Sequence, residues 1–228
     1  MSVPDEEKQG MRRRDFLLLS AGSICASILC CKTVSAASGK PGFEFIESTC
    51  QKDAKMKKRV LITYASRCGS TGGVAEAMGQ VLCGMDVSVN VRLVGKVDDL
   101  SPYQAVLVGS AIRMGKWLPE AVGFVKKNQD ILNRLPVAYF VVCMTMKENT
   151  PENRSKVLAY LDPVHKEAPT IKPAATGLFP GAVDFSKLSF VYKSILKAKG
   201  ISEGDYRDWA AVKTWVADLA PTLLVTQS

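Results

Sequence analysis

One short turn carries the residues best suited to bind an anion. It begins after the apolar, β-branched run Val60–Tyr64 and ends where helical spacing begins. Backbone N–H groups at a helix start favour negative charge, hydroxyls add donors, and glycine lets the backbone approach a ligand closely. The sequence therefore predicts a phosphate-type site, and the alternative is that the serines only cap the helix. The predicted anion-binding residues are Ser66, Arg67, Cys68, Gly69, Ser70 and Thr71.

Two known phosphate motifs are absent from the chain. There is no G-x-x-x-x-G-K-[ST], which excludes a nucleoside-triphosphate loop of that type, and no G-x-G-x-x-G, the dinucleotide fingerprint.

Two further segments combine large apolar, basic and glycine residues after predicted strands. Flat or soft side chains there can sandwich an aromatic ring system, and backbone amides can bond its polar edge. Arg113 and Lys116 can stabilise an anionic form of such a ring, although a solvated pair of charges is the alternative. Ordinary loop packing is the alternative for the apolar members. The predicted ring-binding residues are Ser110, Ala111, Ile112, Arg113, Met114, Gly115 and Trp117 in the second loop, and Met144, Thr145 and Met146 in the third.

The elements that must position these loops alternate between strand and helix. Buried strands are predicted at 60–64, 105–109 and 137–144, an edge strand at 87–94, and a weaker fifth strand at 174–179. Helices are predicted from about Thr71 and at 118–128, 154–165, 185–197 and 206–219. Alternation of this kind predicts an α/β fold with a parallel sheet covered by helices on both faces, whose ligands bind at the carboxyl ends of the strands.

Composition excludes several classes of site. His165 is the single histidine, so a histidine-based triad and a multi-histidine metal centre are excluded, and we predict no metal site. The cysteines outside the leader, Cys50, Cys68, Cys83 and Cys143, form no C-x-x-C pair, and their disulfide pairing does not follow from the sequence. The net charge of +8 favours an acidic partner or surface, but no arginine-rich run supports nucleic acid.

The N-terminus resembles a twin-arginine export signal. Arg12-Arg13-Arg14 precedes Asp-Phe-Leu, an apolar run to about Cys31, and small residues at 35–38. We therefore expect a signal segment at 1–37, a linker at 38–57, the folded domain at 58–220 and a tail at 221–228. The protein is then expected in the periplasm or on the outer face of the cytoplasmic membrane. An uncleaved leader acting as an anchor is the alternative, and Cys30 and Cys31 raise lipid attachment as a third possibility.

Three segments together resemble one family. The turn at 66–71 is similar to an S-T-R-D-G-Q-T loop, residues 106–115 (VLVGSAIRMG) to V-V-I-G-A-S-I-R-Y-G, and Asp208-Trp209 with Val212 to T-D-W-x-x-V. These are features of the flavodoxin-like, menaquinone-dependent protoporphyrinogen IX dehydrogenases. The resemblance implies a three-layer sandwich with a five-stranded parallel sheet of order 2-1-3-4-5. It also implies FMN as the cofactor, held by the three loops named above.

The same resemblance implies transfer of reducing equivalents from protoporphyrinogen to a membrane quinone. The basic stretch from Phe185 to Lys199 would then suit an anionic membrane surface or substrate propionates, and the alternative is a helix that covers the sheet. The family's tyrosine and arginine cluster after the fifth strand is replaced here by residues 179–184 (FPGAVD), and Met114 replaces a tyrosine. The alternative functions are an exported electron carrier that acts with a redox partner protein, and a scaffold that has lost FMN.

Overall fold

The computed structural model describes residues 45–51, 58–198 and 200–224. The predicted signal segment lies outside these residues. The strands are β1 (Ser48–Cys50), β2 (Arg59–Ala65), β3 (Ser88–Leu93), β4 (Ala105–Arg113), β5 (Lys116–Trp117), β6 (Val137–Val142), β7 (Ala175–Phe179), β8 (Ala182–Val183) and β9 (Gly204–Asp205). The helices are α1 (Ser70–Gly84), α2 (Pro119–Lys127), α3 (Gln129–Leu132), α4 (Pro151–Ala159), α5 (Asp162–Glu167), α6 (Phe190–Ala198) and α7 (Trp209–Leu223).

Five strands form the parallel sheet that the sequence predicts. Their spatial order is β3-β2-β4-β6-β7, which is 2-1-3-4-5 when only these five are counted, so the predicted fold is confirmed. The central strands are buried on both faces, and this explains their continuous apolar sequences. The register pairs Ala65 of β2 with Ser110 of β4, and Ser110 with Val141 of β6. The segments that follow these strands therefore start at the same edge of the sheet.

Two hydrophobic cores lie on opposite faces of the sheet. Tyr64, Met78 and Val216 belong to the core that α1 and α7 cover. Val108, Val125 and Leu161 belong to the other, which α2, α4 and α5 cover. The arrangement is the predicted sandwich of three layers.

The strand predicted to be an edge is covered by a further strand. β1 pairs antiparallel with β3, within the stretch assigned to a linker. The polar side chains of β3 bond to it, since Asn90 Nδ2 and Arg92 Nη2 both donate to Thr49 Oγ1, at 3.0 and 3.1 Å. A disulfide joins Cys50 of β1 to Cys83 of α1. The expectation that β3 is the edge of the sheet was therefore wrong.

Two predicted helices are each divided. The single helix expected at 154–165 is α4 and α5, separated by a turn at Tyr160 and Leu161, and α4 already begins at Pro151 behind its N-cap Thr150. The helix expected at 185–197 consists of a 3₁₀ turn, Phe185–Lys187, followed by α6. Asp184 accepts a hydrogen bond from Ser186 N and so fixes the 3₁₀ turn. Of the helices that the structure describes, none is long and apolar enough to cross a bilayer.

Candidate functional site

The first loop folds tightly between β2 and α1. Gly69 has a φ of 84°, a left-handed conformation that glycine adopts without strain. Its N–H donates to Ser66 Oγ at 3.0 Å. Its carbonyl accepts from Gly72 N at 3.0 Å and Gly73 N at 3.3 Å. Hydrogen bonds among Ser66, Gly69, Gly72 and Gly73 therefore fix the conformation of the loop.

The start of α1 has neither a side-chain cap, as α4 and α7 have, nor an acidic residue in its first turn, as α2, α3 and α5 have. In α4 the N-cap Thr150 accepts from Asn153 N, and in α7 the N-cap Asp208 accepts from Ala211 N. The N-cap of α1 is Gly69, which has no side chain to offer, and the first turn of α1 contains no acidic residue. The positive end of the helix dipole is therefore not offset locally, as an anion site requires.

Thr71, the second residue of α1, supplies a hydroxyl without a partner. The residue is fully buried, and its Oγ1 is among the buried side-chain oxygens that have no hydrogen-bond partner in the described part of the chain. Burying such a group without a partner costs about 1–3 kcal/mol. An external acceptor at the helix start would offset this cost.

Two glycines of α1 allow other side chains to pack against its first turn. A β-carbon at Gly72 would lie 2.6 Å from the Tyr64 hydroxyl oxygen, and one at Gly73 would clash with Arg207 Nη1. Arg207 is held in a two-point ion pair by Asp205, at 2.8 and 2.6 Å, and its guanidinium lies 4.4 Å from the centre of the Trp209 ring. A cation therefore lies beside the helix start.

The second predicted loop is a β-hairpin. β4 extends to Arg113 and pairs with β5, so that Arg113 lies opposite Lys116. Met114 and Gly115 form its tip, both with positive φ values, of 52° and 72°. Met114 is 89% exposed, an unusual position for a large apolar side chain. Arg113 and Lys116 are exposed beside it, while Ala111 and Ile112 are half-buried.

Three of the predicted ring-binding residues contact other parts of the protein instead. Trp117 is 2% exposed and packs edge-on against Tyr139 at 5.2 Å. Met146 is also 2% exposed and belongs to the same core. The buried Ser110 hydroxyl accepts from Leu118 N at 3.0 Å and donates to the Ala111 carbonyl at 2.7 Å, so it fixes the hairpin base. We therefore correct the sequence assignment and remove these three as direct ligand contacts.

The third loop leaves β6 at Cys143 and continues as a 3₁₀ turn, Met144–Lys147. Cys143 N donates to the Phe179 carbonyl at 3.0 Å, which ties this loop to the end of β7. Burial raises the pKa of the Cys143 thiol, so it is not an activated nucleophile. Met144 and Thr145 are half-buried and remain candidates for contact with a ligand.

The segment after β7 returns to the first loop, and the sequence analysis missed this contact. A β-carbon at Gly181 would lie 3.7 Å from Ser70 Oγ. Tyr206 N donates to the Gly181 carbonyl at 3.1 Å, and Lys147 Nζ lies 4.5 Å from the centre of the Tyr206 ring. Residues after β7 thus join the first and third loops. Gly181 beside a proline was the sequence signal that could have indicated it.

The first loop is also joined to α2, the helix that follows the second loop. Arg67 Nη2 lies 2.6 Å from Glu120 Oε1, in the first turn of α2. Both side chains are about half exposed, so this ion pair contributes little stability. The ion pair nevertheless engages the guanidinium of Arg67, which is one of the predicted anion-binding residues.

A separate cavity of about 690 Å³ lies on the flank of the domain, between the hairpin, α2 and α5. Its lining includes Gly115, Lys116 and Trp117 of the second loop, but none of residues 66–71 or 144–146. Lys126 Nζ and Glu167 Oε2, two of its lining residues, form an ion pair at 2.6 Å. We therefore place the candidate site at the loops and not in this cavity. Within the described residues, no group of three or more His, Cys, Asp or Glu could hold a metal ion.

Comparison with known proteins identifies related sequences. The family model described as the flavodoxin domain matches residues 61–208. The protoporphyrinogen IX dehydrogenase [quinone] of Leishmania major is 25% identical over 180 residues, which cover 73% of this chain and 77% of that protein. The enzyme of the same name from Escherichia coli K12 is 24% identical over 177 residues, which cover 71% and 94% of the two chains.

Solved structures with similar folds include oxidised flavodoxin 2 from Bacillus cereus, at 18% identity with a TM-score of 0.46 and coverage of 72% and 99%. An apo NADH:FMN oxidoreductase (EMOB) is 15% identical with a TM-score of 0.46 and coverage of 75% and 92%.

Proposed function

The chain belongs to the flavodoxin domain family, and from that premise we propose that it is a flavin-dependent oxidoreductase that binds FMN at the rim formed by its three loops. The observation that carries this proposal is the start of α1. It combines a left-handed glycine, a helix end without a side-chain cap and the buried, unpartnered hydroxyl of Thr71. These features fit the phosphate of FMN.

The residues of the chain have separable roles in this proposal. The first-turn amides of α1 that do not bond to the Gly69 carbonyl, together with the Thr71 hydroxyl, would donate to the phosphate, and the glycines would allow it to approach. The hairpin tip, with Met114, and the half-buried Met144 cover the apolar ring. Arg113 and Lys116 place positive charge on the same hairpin and so favour a negatively charged form of the ring. When bound, FMN supplies the ability to accept and pass on electrons.

The relatives support a dehydrogenase that passes electrons to a quinone. The names of the Leishmania major and Escherichia coli proteins specify protoporphyrinogen IX and a quinone. We propose the same class of reaction here, with a membrane quinone as the acceptor. The basic charge of +8 supports an anionic substrate or surface. An electron carrier without its own substrate is the second candidate, and the replacement of the family's tyrosine and arginine cluster by residues 179–184 favours it.

A spectrum tests the first part of the proposal. The purified protein is incubated with FMN, desalted and scanned, and a bound flavin is expected to remain with it. Absence of flavin from a folded protein would overturn both redox functions. If FMN binds, oxidation of protoporphyrinogen is followed with a menaquinone analogue. Turnover supports the dehydrogenase, whereas FMN binding without turnover leaves the carrier.

We also propose that the protein is exported by its N-terminal segment. The disulfide between Cys50 and Cys83 supports this, because such bonds persist in oxidising compartments. Replacing Arg12-Arg13-Arg14 by lysines in the native host is expected to retain the protein in the cytoplasm. Unchanged export would contradict a twin-arginine signal. The size of the exported form distinguishes cleavage from a retained anchor.

A further inference from the structure

Helix α6 exposes large apolar side chains to solvent. Phe190 is 83% exposed, Val191 65% and Ile195 45%. Isolated exposed apolar residues are ordinary on protein surfaces, but a contiguous group indicates an interaction site. These three lie on one short helix of nine residues.

The exposed residues occupy one sector of the helix. At about 100° per residue, Val191 and Ile195 lie about 100° and 140° around the axis from Phe190. Ser194 and Ala198 fall between them, and both are exposed. Leu196, a half-buried residue, lies outside the sector, at about 240°. The apolar sector therefore faces solvent.

Positive charge borders this sector. Residues 185–199 contain four lysines and no acidic residue. Lys193 Nζ and Lys197 Nζ lie 5.5 and 5.6 Å from the centre of the Phe185 ring. Lys197 is adjacent to Phe190 around the axis, and Lys193 lies one step further. Cations therefore lie along the edge of the apolar surface.

We propose that α6 docks onto an anionic lipid bilayer, with Phe190, Val191 and Ile195 in the interface and its lysines at the headgroups. Apolar residues on one face with lysines beside them are the pattern of helices that lie in a membrane surface. A second copy of this chain fits less well, because α6 would then bring lysines against lysines. The proposal does not depend on FMN, so it can fail or hold independently of the proposed function.

The test uses the full chain and vesicles of phosphatidylglycerol and phosphatidylcholine in equal parts, compared with phosphatidylcholine alone. The signal must report on α6 alone, because the N-terminal segment also contains an apolar run that can bind vesicles by itself. We therefore use Phe190→Trp and measure quenching by brominated lipid. Quenching above that of the unsubstituted chain, on the anionic vesicles and reduced by salt, is expected. No additional quenching would overturn the proposal.

Charge and apolar variants test the two parts of the surface in the Phe190→Trp background. Each lysine near an anionic surface contributes roughly five-fold in affinity, so Lys193→Gln with Lys197→Gln is expected to weaken α6 docking about 25-fold. The control, Lys166→Gln with Lys213→Gln, removes the same charge from exposed positions elsewhere and is expected to have a smaller effect. Ile195→Ser is expected to weaken docking, with Ile131→Ser on α3 as its control. Equal effects of the α6 variants and their controls would overturn the proposal, as would binding to an acidic protein with no response to lipid.

Discussion

The hydroxyl of Tyr64 occupies the space that a side chain at Gly72 would need. A β-carbon there would lie 2.6 Å from the hydroxyl oxygen, closer than such atoms approach in real structures. The same hydroxyl donates to the Ile46 carbonyl at 2.8 Å. Burial raises the pKa of Tyr64 well above its ordinary value, so the hydroxyl remains a donor throughout the physiological range. One buried tyrosine thus sets how closely the first turn of α1 approaches the sheet.

Gly72→Ala is expected to damage the site through this contact. The added methyl group must displace the tyrosine or the helix start, and overpacking of this kind typically costs about 1–3 kcal/mol. We expect the free energy of unfolding in urea to fall by that amount and FMN affinity to fall at least about ten-fold, since the first-turn amides move. Both are measured on the same preparation, by denaturation and by flavin titration.

Gly84→Ala is the matched control because Gly84 ends the same helix and a β-carbon there would contact nothing within 4 Å. It should leave FMN affinity unchanged. Equal losses in the two variants would mean that the helix as a whole, and not its first turn, responds to substitution.

Thr71→Val should separate ligand binding from stability. The valine keeps the shape and removes a buried hydroxyl that lacks a partner, so the protein without FMN should be as stable as before or slightly more stable. If the hydroxyl donates to the phosphate, FMN affinity should fall about 10- to 100-fold, the usual effect of a hydrogen bond to a charged group. Thr63→Val is the control, since its buried hydroxyl also lacks a partner but lies within β2. A loss of affinity in both variants, or in neither, would contradict the role given to Thr71.

The sheet was predictable because its strands are encoded locally. The central strands are buried on both faces and therefore apolar throughout, and each is followed by a helix. β1 was not predictable in this way. It is three residues long, and its place depends on pairing with Val89 to Val91 and on the bond between Cys50 and Cys83, neither of which its own sequence encodes.

The first loop of the site was predictable, but the roles of individual residues in the others were not. Ser66 and Gly69 determine the turn through local interactions, and the structure contains the predicted turn. Whether a large apolar residue faces a ligand or the core depends on tertiary packing, so Met114 and Trp117, three residues apart, reach opposite environments. The contact of Arg207 with α1 depends on the path of the chain after β7, which no local pattern determines.

The disulfide should stabilise the domain substantially. It closes a loop between residues 33 apart, for which chain entropy predicts about 3–4 kcal/mol. Cys50→Ser is expected to lower the free energy of unfolding by an amount of that order, measured in urea without reductant. Cys68→Ser, which affects no disulfide, should change it far less. Equal stability of Cys50→Ser and the unsubstituted protein would contradict the pairing, and a thiol count on the unfolded protein would check it directly.

Through its ion pair with Arg207, Asp205 is expected to make the stability of the contact between Arg207 and α1 depend on pH. Its hydrogen bonds from Arg207 lower the carboxyl pKa below the ordinary 3.8. A lowered folded-state pKa contributes stability that is present above about pH 4 and is lost as the pH falls through the folded value. Since the carboxylate is half exposed, we expect less than about 1 kcal/mol. The difference in unfolding free energy between the unsubstituted protein and Asp205→Asn should therefore be positive at neutral pH and vanish in acid. A difference that does not change with pH would show that Asp205 acts through packing and not through its charge on Arg207.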